Sequence, residues 1–396
     1  MTLIRVAADI GGTFTDVALD TPTGLYTSKV LTTAQEPATG VLRGIEEVLT
    51  GAGLNASDID VFVHGTTLAT NALIERRGAV TALLTTEGLR DSVEMAHENR
   101  FEQYDLAMTR PEPLVPRDLR FGIPERLDST GRVLKELDTS ALETAVQVMK
   151  EQNVESIAMG FLHSYANNSH ERRAAKVVQD LWPEVSITLS SEVCPEIREY
   201  ERLSTACANA YIQPLVTKYL QDLESRRHAL SMTCPMLLMQ SGGGLGTLDD
   251  ALRFPVRLVE SGPAGGALLS AELARSLQLE KALSFDMGGT TAKLCIINGG
   301  YPRTSREFEV GREYRFLAGS GLPLRLPVIE MVEIGAGGSS IARLDELGRI
   351  AVGPTSAGSE PGPACYGRGG DAPTVTDADV ALGRILADLS LIHISE

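Results

Sequence analysis

Val6-Ala-Ala-Asp-Ile-Gly-Gly-Thr-Phe-Thr-Asp16 returns almost three hundred positions later as Leu283-Ser-Phe-Asp-Met-Gly-Gly-Thr-Thr-Ala-Lys293. Both copies run from an apolar strand through Asp, one apolar residue and Gly-Gly-Thr into a second strand. A single copy would be an ordinary hairpin. Two copies in one register, each opening an α/β region, predict a duplicated core.

Outward from the first copy, hydrophobic period predicts strands at 4–8 and 17–19 and a helix over 38–49 closed by Gly51 and Gly53. A strand over 60–63, a helix over 66–77 stopped by Gly78, a strand over 79–84 and a helix over 88–97 follow. Residues 99–135 have weaker period and carry Pro111, Pro113, Pro116 and Pro124, which predicts an extended crossing segment. Ser140, three before Glu143, has the form of a capping box. Beyond it come a strand over 156–162, a helix over 169–181, a strand over 185–189, and a helical stretch over 198–227 that Pro214 should kink or split. A strand over 235–240 runs into Ser241-Gly-Gly-Gly244. The alternation is that of an α/β fold.

The repeated turn carries the chemistry. Two adjacent glycines let backbone N–H groups approach an anion without a Cβ in the way, which is how backbone nests hold phosphate. The Thr hydroxyl adds a donor. Asp9 and Asp286, each ending the strand before its turn, are placed to hold Mg²⁺ or its water shell, because Mg²⁺ favours carboxylates, water and phosphate oxygens. Two such turns facing each other would clamp a nucleotide tail. The chain has no Gly-x-x-x-x-Gly-Lys-Ser/Thr run, and its N-terminal glycines do not form Gly-x-Gly-x-x-Gly, so P-loop and Rossmann readings fall away.

Composition narrows the partners. The chain has 396 residues, 43% hydrophobic and 22% charged, which fits two or three globular domains at roughly 100–200 residues each. Lys and Arg number 36 against 52 Asp and Glu, a net charge of −16, and no basic run interrupts that acidity. Nucleic acid and anionic membrane are therefore not expected partners, since phosphate binding needs a basic footprint. Five cysteines without a Cys-x-x-Cys pair suit neither a zinc ribbon nor a disulfide framework and read as reduced thiols. Neither an export signal nor a long apolar span is legible, so a cytoplasmic location is expected.

The paired turns resemble the two phosphate loops of the actin, hexokinase and Hsp70 superfold. More closely, the chain resembles the hydantoinase A, 5-oxoprolinase and acetone carboxylase β-subunit family. The resemblance is carried by Asp9–Asp16, His64-Gly-Thr-Thr-Leu-Ala-Thr-Asn-Ala-Leu-Ile74, Ser191–Pro214, Gln240–Gly244, Glu260-Ser-Gly-Pro-Ala-Gly-Gly266, Asp286–Thr291 and Ser359-Glu-Pro-Gly-Pro-Ala-Cys-Tyr-Gly367, in that order. It implies a duplicated actin-like ATPase core. One domain over 1–195 would hold the first phosphate loop, and a hydantoinase A-type domain over 196–388 the second.

The activity implied is ATP-dependent activation of a carbonyl. The γ-phosphoryl group passes to an amide, imide or ketone oxygen, turning a poor leaving group into a good one, with backbone N–H groups and Mg²⁺ neutralising the transferring charge. The leading expectation is the A-type subunit of an ATP-dependent cyclic amide hydrolase, working with a B-type subunit on a small cyclic amide. The alternatives are an acetone carboxylase-like ligase subunit acting on a ketone, or a non-enzymatic, nucleotide-driven binding protein.

The expected site follows. Asp9 and Asp286 are catalytic and hold Mg²⁺ through Mg-ATP. Gly11, Gly12, Thr13, Thr15, Gly288, Gly289, Thr290 and Thr291 bind ATP, joined by Gly335, Gly337 and Gly338 of the third glycine cluster, Ile334–Ser340. Ser339 stands where related sequences usually have Gly, and its side chain puts that loop's geometry in question. His64, Thr66 and Asn71 are the substrate candidates, against the plainer reading that Thr66 caps a helix. His97 and His163 read as structural, Cys365 as an inert loop thiol, and Glu330 and Glu333 as strand-edge charges rather than an acid or base.

The family continues beyond this length into a glycine-rich segment resembling the superfold's adenosine-binding element. Leu389–Glu396 does not continue the family pattern and reads like a translated sequencing adapter, so the native frame is expected to end near Asp388. A fragment lacking the adenine wall is expected to be inactive alone and to expose apolar surface.

Overall fold

A computed structural model describes residues 3–11, 14–33, 36–289, 291–312, 317–358 and 360–385. Gly12, Thr13, Thr290 and the 389–396 tail lie outside the described residues. The chain is mixed α/β and divides into two compact units. Unit 1 comprises residues 1–265 and 304–328, and unit 2 comprises 266–303 and 329–396.

In unit 1, β1 (Arg5–Ile10) buries Val6, Ala8 and Ile10 on one face and turns Arg5, Ala7 and Asp9 to the other. This strict alternation is what a half-covered strand requires. It pairs antiparallel with β2 (Phe14–Thr21), which pairs antiparallel with β3 (Gly24–Leu31). Helix α1 (Pro37–Ala52) starts with Pro and ends at Gly53 in left-handed conformation, φ 67°, and packs Val41, Ile45 and Val48 into the core. On the other side of β1 lies β4 (Val61–Thr66), in parallel, with Ala8 opposite His64 and Asp9 opposite Gly65. Short helix α2 (Leu68–Ile74) follows directly. Strands Met236–Met239 and Leu245–Thr247 complete this six-stranded sheet.

A second sheet in unit 1 holds four parallel strands, in the order Ser186–Leu189, Ser156–Gly160, Thr81–Thr86 and Arg120–Ile123. The crossing segment therefore supplies a sheet strand as well as loops. Helix Thr139–Glu151 is capped by Asp138, whose carboxylate accepts from Ala141 N at 3.1 Å, while Ser140 donates to that same carboxylate. The cap thus falls two residues ahead of the expected one.

Helix Glu199–Ala229 runs unbroken through Pro214. A proline inside a helix costs about 3 kcal/mol, and the two arms offset this by burying Leu203, Ala206 and Ile212 before it and Val216, Leu220 and Leu223 after it. Arg202, fully buried, donates to the carbonyls of Phe161 and Glu196 and to Ser190 Oγ. Glu171 accepts from the same serine and from Phe161 N. This polar node ties the long helix to the second sheet.

Unit 2 contains the second copy of the repeat. Strand Lys281–Met287 pairs antiparallel with Ala292–Asn298, which is flanked by the short strands Tyr301–Pro302 and Val332–Ile334. One face of this sheet is exposed and apolar, carrying Leu283, Phe285, Ile296, Val332 and Ile334. The other packs Ile297 against Ala271 and Ala274. Among the described residues, no helix is long and apolar enough to cross a membrane.

Candidate functional site

The two copies of the repeat fold alike. In the first, Asp9 lies opposite Asp16 and the turn closes with Gly11 N donating to Phe14 O at 2.8 Å. In the second, Asp286 lies opposite Lys293 and Gly288 N donates to Thr291 O at 2.9 Å. Gly11 and Gly288 are equivalent positions, as are Phe14 and Thr291, so sequence repetition has become repetition of a closing hydrogen bond. In each, the aspartate faces outward at the strand end, and neither is buried.

Beneath the first turn runs a hydroxyl chain. Thr15 Oγ1 lies 3.0 Å from Thr32 Oγ1, which donates to Gly11 O at 3.0 Å. Thr15 is wholly buried, so it braces the turn from below. Its equivalent, Ala292, has no hydroxyl.

The Asp9 carboxylate lies in a cradle that sequence reasoning missed. A Cβ at Gly65 would stand 2.6 Å from Asp9 Oδ1, and one at Gly262 would stand 3.2 Å from Oδ2. Gly262 belongs to the first turn of helix Ser261–Ser276, whose dipole favours a carboxylate there. Glu260, just before that helix, holds left-handed backbone at φ 62°, and its N–H donates to Thr70 Oγ1 at 3.0 Å. Ser261 Oγ donates to Thr66 O at 3.2 Å, locking the helix start to β4. Asp9, Asp16, Lys29, Gly65, Ser261 and Gly262 border a cleft of about 590 Å³. The available signal was Glu260–Gly266, a motif of the resemblance that had been given no role.

In unit 2 the third glycine cluster folds onto the second turn. Gly338 N donates to Gly288 O at 2.9 Å, and Ser339 N to Gly289 O at 2.7 Å. A Cβ at Gly337 would come within 2.6 Å of Gly288 O and of the Gly289 carbonyl. Ser339 is nearly buried and is not among the residues with left-handed backbone, so its side chain is accommodated without strain. Thr376 N donates to Gly338 O at 2.8 Å, pinning the loop from beyond. Gly335 precedes this contact.

The substrate candidates sit differently. His64 is fully buried, with Nδ1 3.0 Å from Ala8 O and Nε2 2.7 Å from Tyr219 Oη. Burial lowers its pKa to about 4, so the ring is neutral, donating to the carbonyl and accepting from the tyrosine. With both nitrogens taken it is a core histidine, and the expectation that it faces substrate is corrected. Thr66, also buried, accepts from Leu68 N at 3.1 Å in the turn just ahead of α2, whose N-cap position is Thr67. Asn71, half-buried, donates to Thr67 Oγ1 at 3.4 Å.

The remaining candidates are occupied by structure. Glu330 pairs with Arg303 at 2.7 Å, and Glu333 lies across the strands from Lys293. His97 stands 3.6 Å from Glu201. The Cys365 thiol is pushed up to about 11 by burial and its hydrogen bond to Asp377, as an inert thiol should be. All five cysteines are free. No cluster of three or more His, Cys, Asp or Glu side chains suited to a metal occurs among the described residues.

Two family models match this chain: the hydantoinase/oxoprolinase N-terminal region over residues 5–182 and hydantoinase/oxoprolinase over residues 202–390. The caprolactamase subunit alpha of Pseudomonas jessenii is 36% identical over 395 residues, covering 98% of this chain and 55% of that one. The acetophenone carboxylase gamma subunit of Aromatoleum aromaticum is 32% identical, covering 96% and 53%. The crystal structure of ATP-dependent caprolactamase from Pseudomonas jessenii superposes with a TM-score of 0.83 at 35% identity, covering 96% of this chain and 55% of that one. The chain thus spans about half the length of these relatives.

Proposed function

The chain belongs to the hydantoinase/oxoprolinase family, and on that premise we propose that it is the nucleotide-binding, A-type part of an ATP-dependent enzyme that hydrolyses a cyclic amide. The supporting observation is the Asp-x-Gly-Gly-Thr hairpin built twice with one closing hydrogen bond. The duplicated actin-like core and the pairing with a B-type subunit are parts of this proposal.

The residues present fit Mg-ATP. The Asp9 carboxylate is kept in a cradle that a Cβ at Gly65 would fill, and the backbone of the second turn is approached so closely by Gly337 that a Cβ there would meet Gly288 O at 2.6 Å. Asp9 and Asp286 would hold the metal's water shell, while the turns at Gly11–Gly12 and Gly288–Gly289 would hold phosphate oxygens. When bound, Mg-ATP supplies the phosphoryl group that makes an amide oxygen a leaving group. This chain's own work is positioning. Thr15 and Thr32 stiffen the first turn, and the start of helix Ser261–Ser276 orients Asp9.

The test is ATP hydrolysis by the full-length protein with its companion subunit, with and without ε-caprolactam, hydantoin or 5-oxoproline. Stimulation by a cyclic amide, lost in Asp9→Asn and Asp286→Asn, is expected. Ketone carboxylation is a second reading, favoured by the likeness to the acetophenone carboxylase gamma subunit. Stimulation only by a ketone with bicarbonate would select it.

A further inference from the structure

Unit 1 holds another cavity, of about 520 Å³, that shares no lining residue with the Asp9 cleft. Its size suits a small organic molecule. Leu114, Val115 and Leu324, all buried, line it together with Phe308, and the long helix contributes Ser204 and Cys207. Burial pushes the Cys207 thiol up to about 12, so it stays neutral.

The charges around this cavity already have partners. Glu201 and Glu307 both reach Arg325, and His97 also reaches Glu201. Glu309 takes Arg312 and Gly319 N, and Glu94 takes Arg120. Arg110 donates to the carbonyls of Met95 and Asn99. Glu112 is solvent-exposed. Among the described residues, a charged ligand would therefore meet no spare counter-ion and would set its charge against apolar surface. Ser204, only 3% exposed, is the described lining residue with a buried hydroxyl that has no hydrogen-bond partner. A buried hydroxyl left unpaired is costly, and a serine changes rotamer at little cost.

We propose that this cavity binds a small uncharged organic molecule, with one hydrogen-bonding group on Ser204 Oγ and apolar ring or chain atoms against Leu114, Val115 and Leu324. The proposal rests on the cyclic-amide reading above only for the choice of probe.

Calorimetric or ligand-observed NMR titration of the full chain with ε-caprolactam, a neutral cyclic amide, tests it. Saturable binding is expected, weakened about tenfold in Ser204→Val as loss of one hydrogen bond would do. Leu324→Trp, which fills the space, should abolish binding. Asp9→Asn should leave it intact, and 5-oxoproline, an amide with a carboxylate, should bind at least about tenfold more weakly. Should Leu324→Trp fail to fold, Ser204→Val decides. The proposal is overturned if caprolactam does not bind, if Ser204→Val binds like the parent, or if 5-oxoproline binds as tightly. Binding without any lactam-stimulated ATP hydrolysis would count against the functional reading and leave the cavity assignment standing.

Discussion

Gly65→Ala separates positioning from stability. The new Cβ would stand 2.6 Å from Asp9 Oδ1, where ordinary contact begins near 3.4 Å, so the oxygen must yield by the difference, about 0.8 Å. What yields is the end of an exposed side chain, so the sheet keeps its register and unfolding should change by no more than about 1 kcal/mol. The carboxylate, however, leaves the first turn of helix Ser261–Ser276. A misplacement near 1 Å at a positioning group costs on the order of a hundredfold in rate, or about 2.7 kcal/mol of transition-state stabilisation. The assay is kcat/KM for ATP in the full-length enzyme beside its Tm, for Gly65→Ala, Asp9→Asn and the double variant. Because both changes act on one group, the double variant should lose little more than Asp9→Asn alone. A Gly65→Ala enzyme with parental kcat/KM, or two losses that simply add, would refute the argument that this cradle aims Asp9.

His64 predicts an acid limit. Its folded-state pKa of about 4 lies below the ordinary 6.5, so the unfolded chain takes up a proton that the folded chain refuses. Stability is full above pH 6.5 and falls towards pH 4, by up to about 3 kcal/mol. Urea unfolding across that window should be steeper for the parent than for His64→Gln. Gly337→Ala drives a Cβ into two backbone carbonyls that cannot step aside, and should destabilise unit 2 by about 1–3 kcal/mol, read from calorimetric unfolding. Thr32→Val cuts the hydroxyl chain between Thr15 and Gly11 O. About 1 kcal/mol of stability and a weaker nucleotide affinity by calorimetry are expected.

Much of the fold was legible where pattern and packing agree. The strand pairing on either side of each repeat, helix Ser169–Leu181 and the ending of α1 at Gly53 follow from local rules alone. Strand β3 was not legible, because most of its residues point to solvent and it carries no apolar stripe. The helix expected over 88–97 shrinks to Ser92–Met95, since Arg117 draws Asp91 into an ion pair and the following residues turn back at Ala96, φ 52°. The site divides the same way. Asp9 and Asp286 announce themselves by repetition. Gly65 and Gly262 matter only because three distant strings of sequence meet at one carboxylate, and no spacing encodes that meeting. His64 misleads for the complementary reason: its partner Tyr219 lies 155 positions away, so a polar residue at a strand end passes for an exposed one.

The two hairpins have unequal neighbourhoods. The first is sewn into the middle of a six-stranded sheet and braced by threonines; the second is supported along its second strand alone, by strands of two and three residues, with an apolar face exposed. Freeing the second hairpin therefore breaks fewer sheet hydrogen bonds than freeing the first, and amide exchange should be faster over 281–298 than over 5–21.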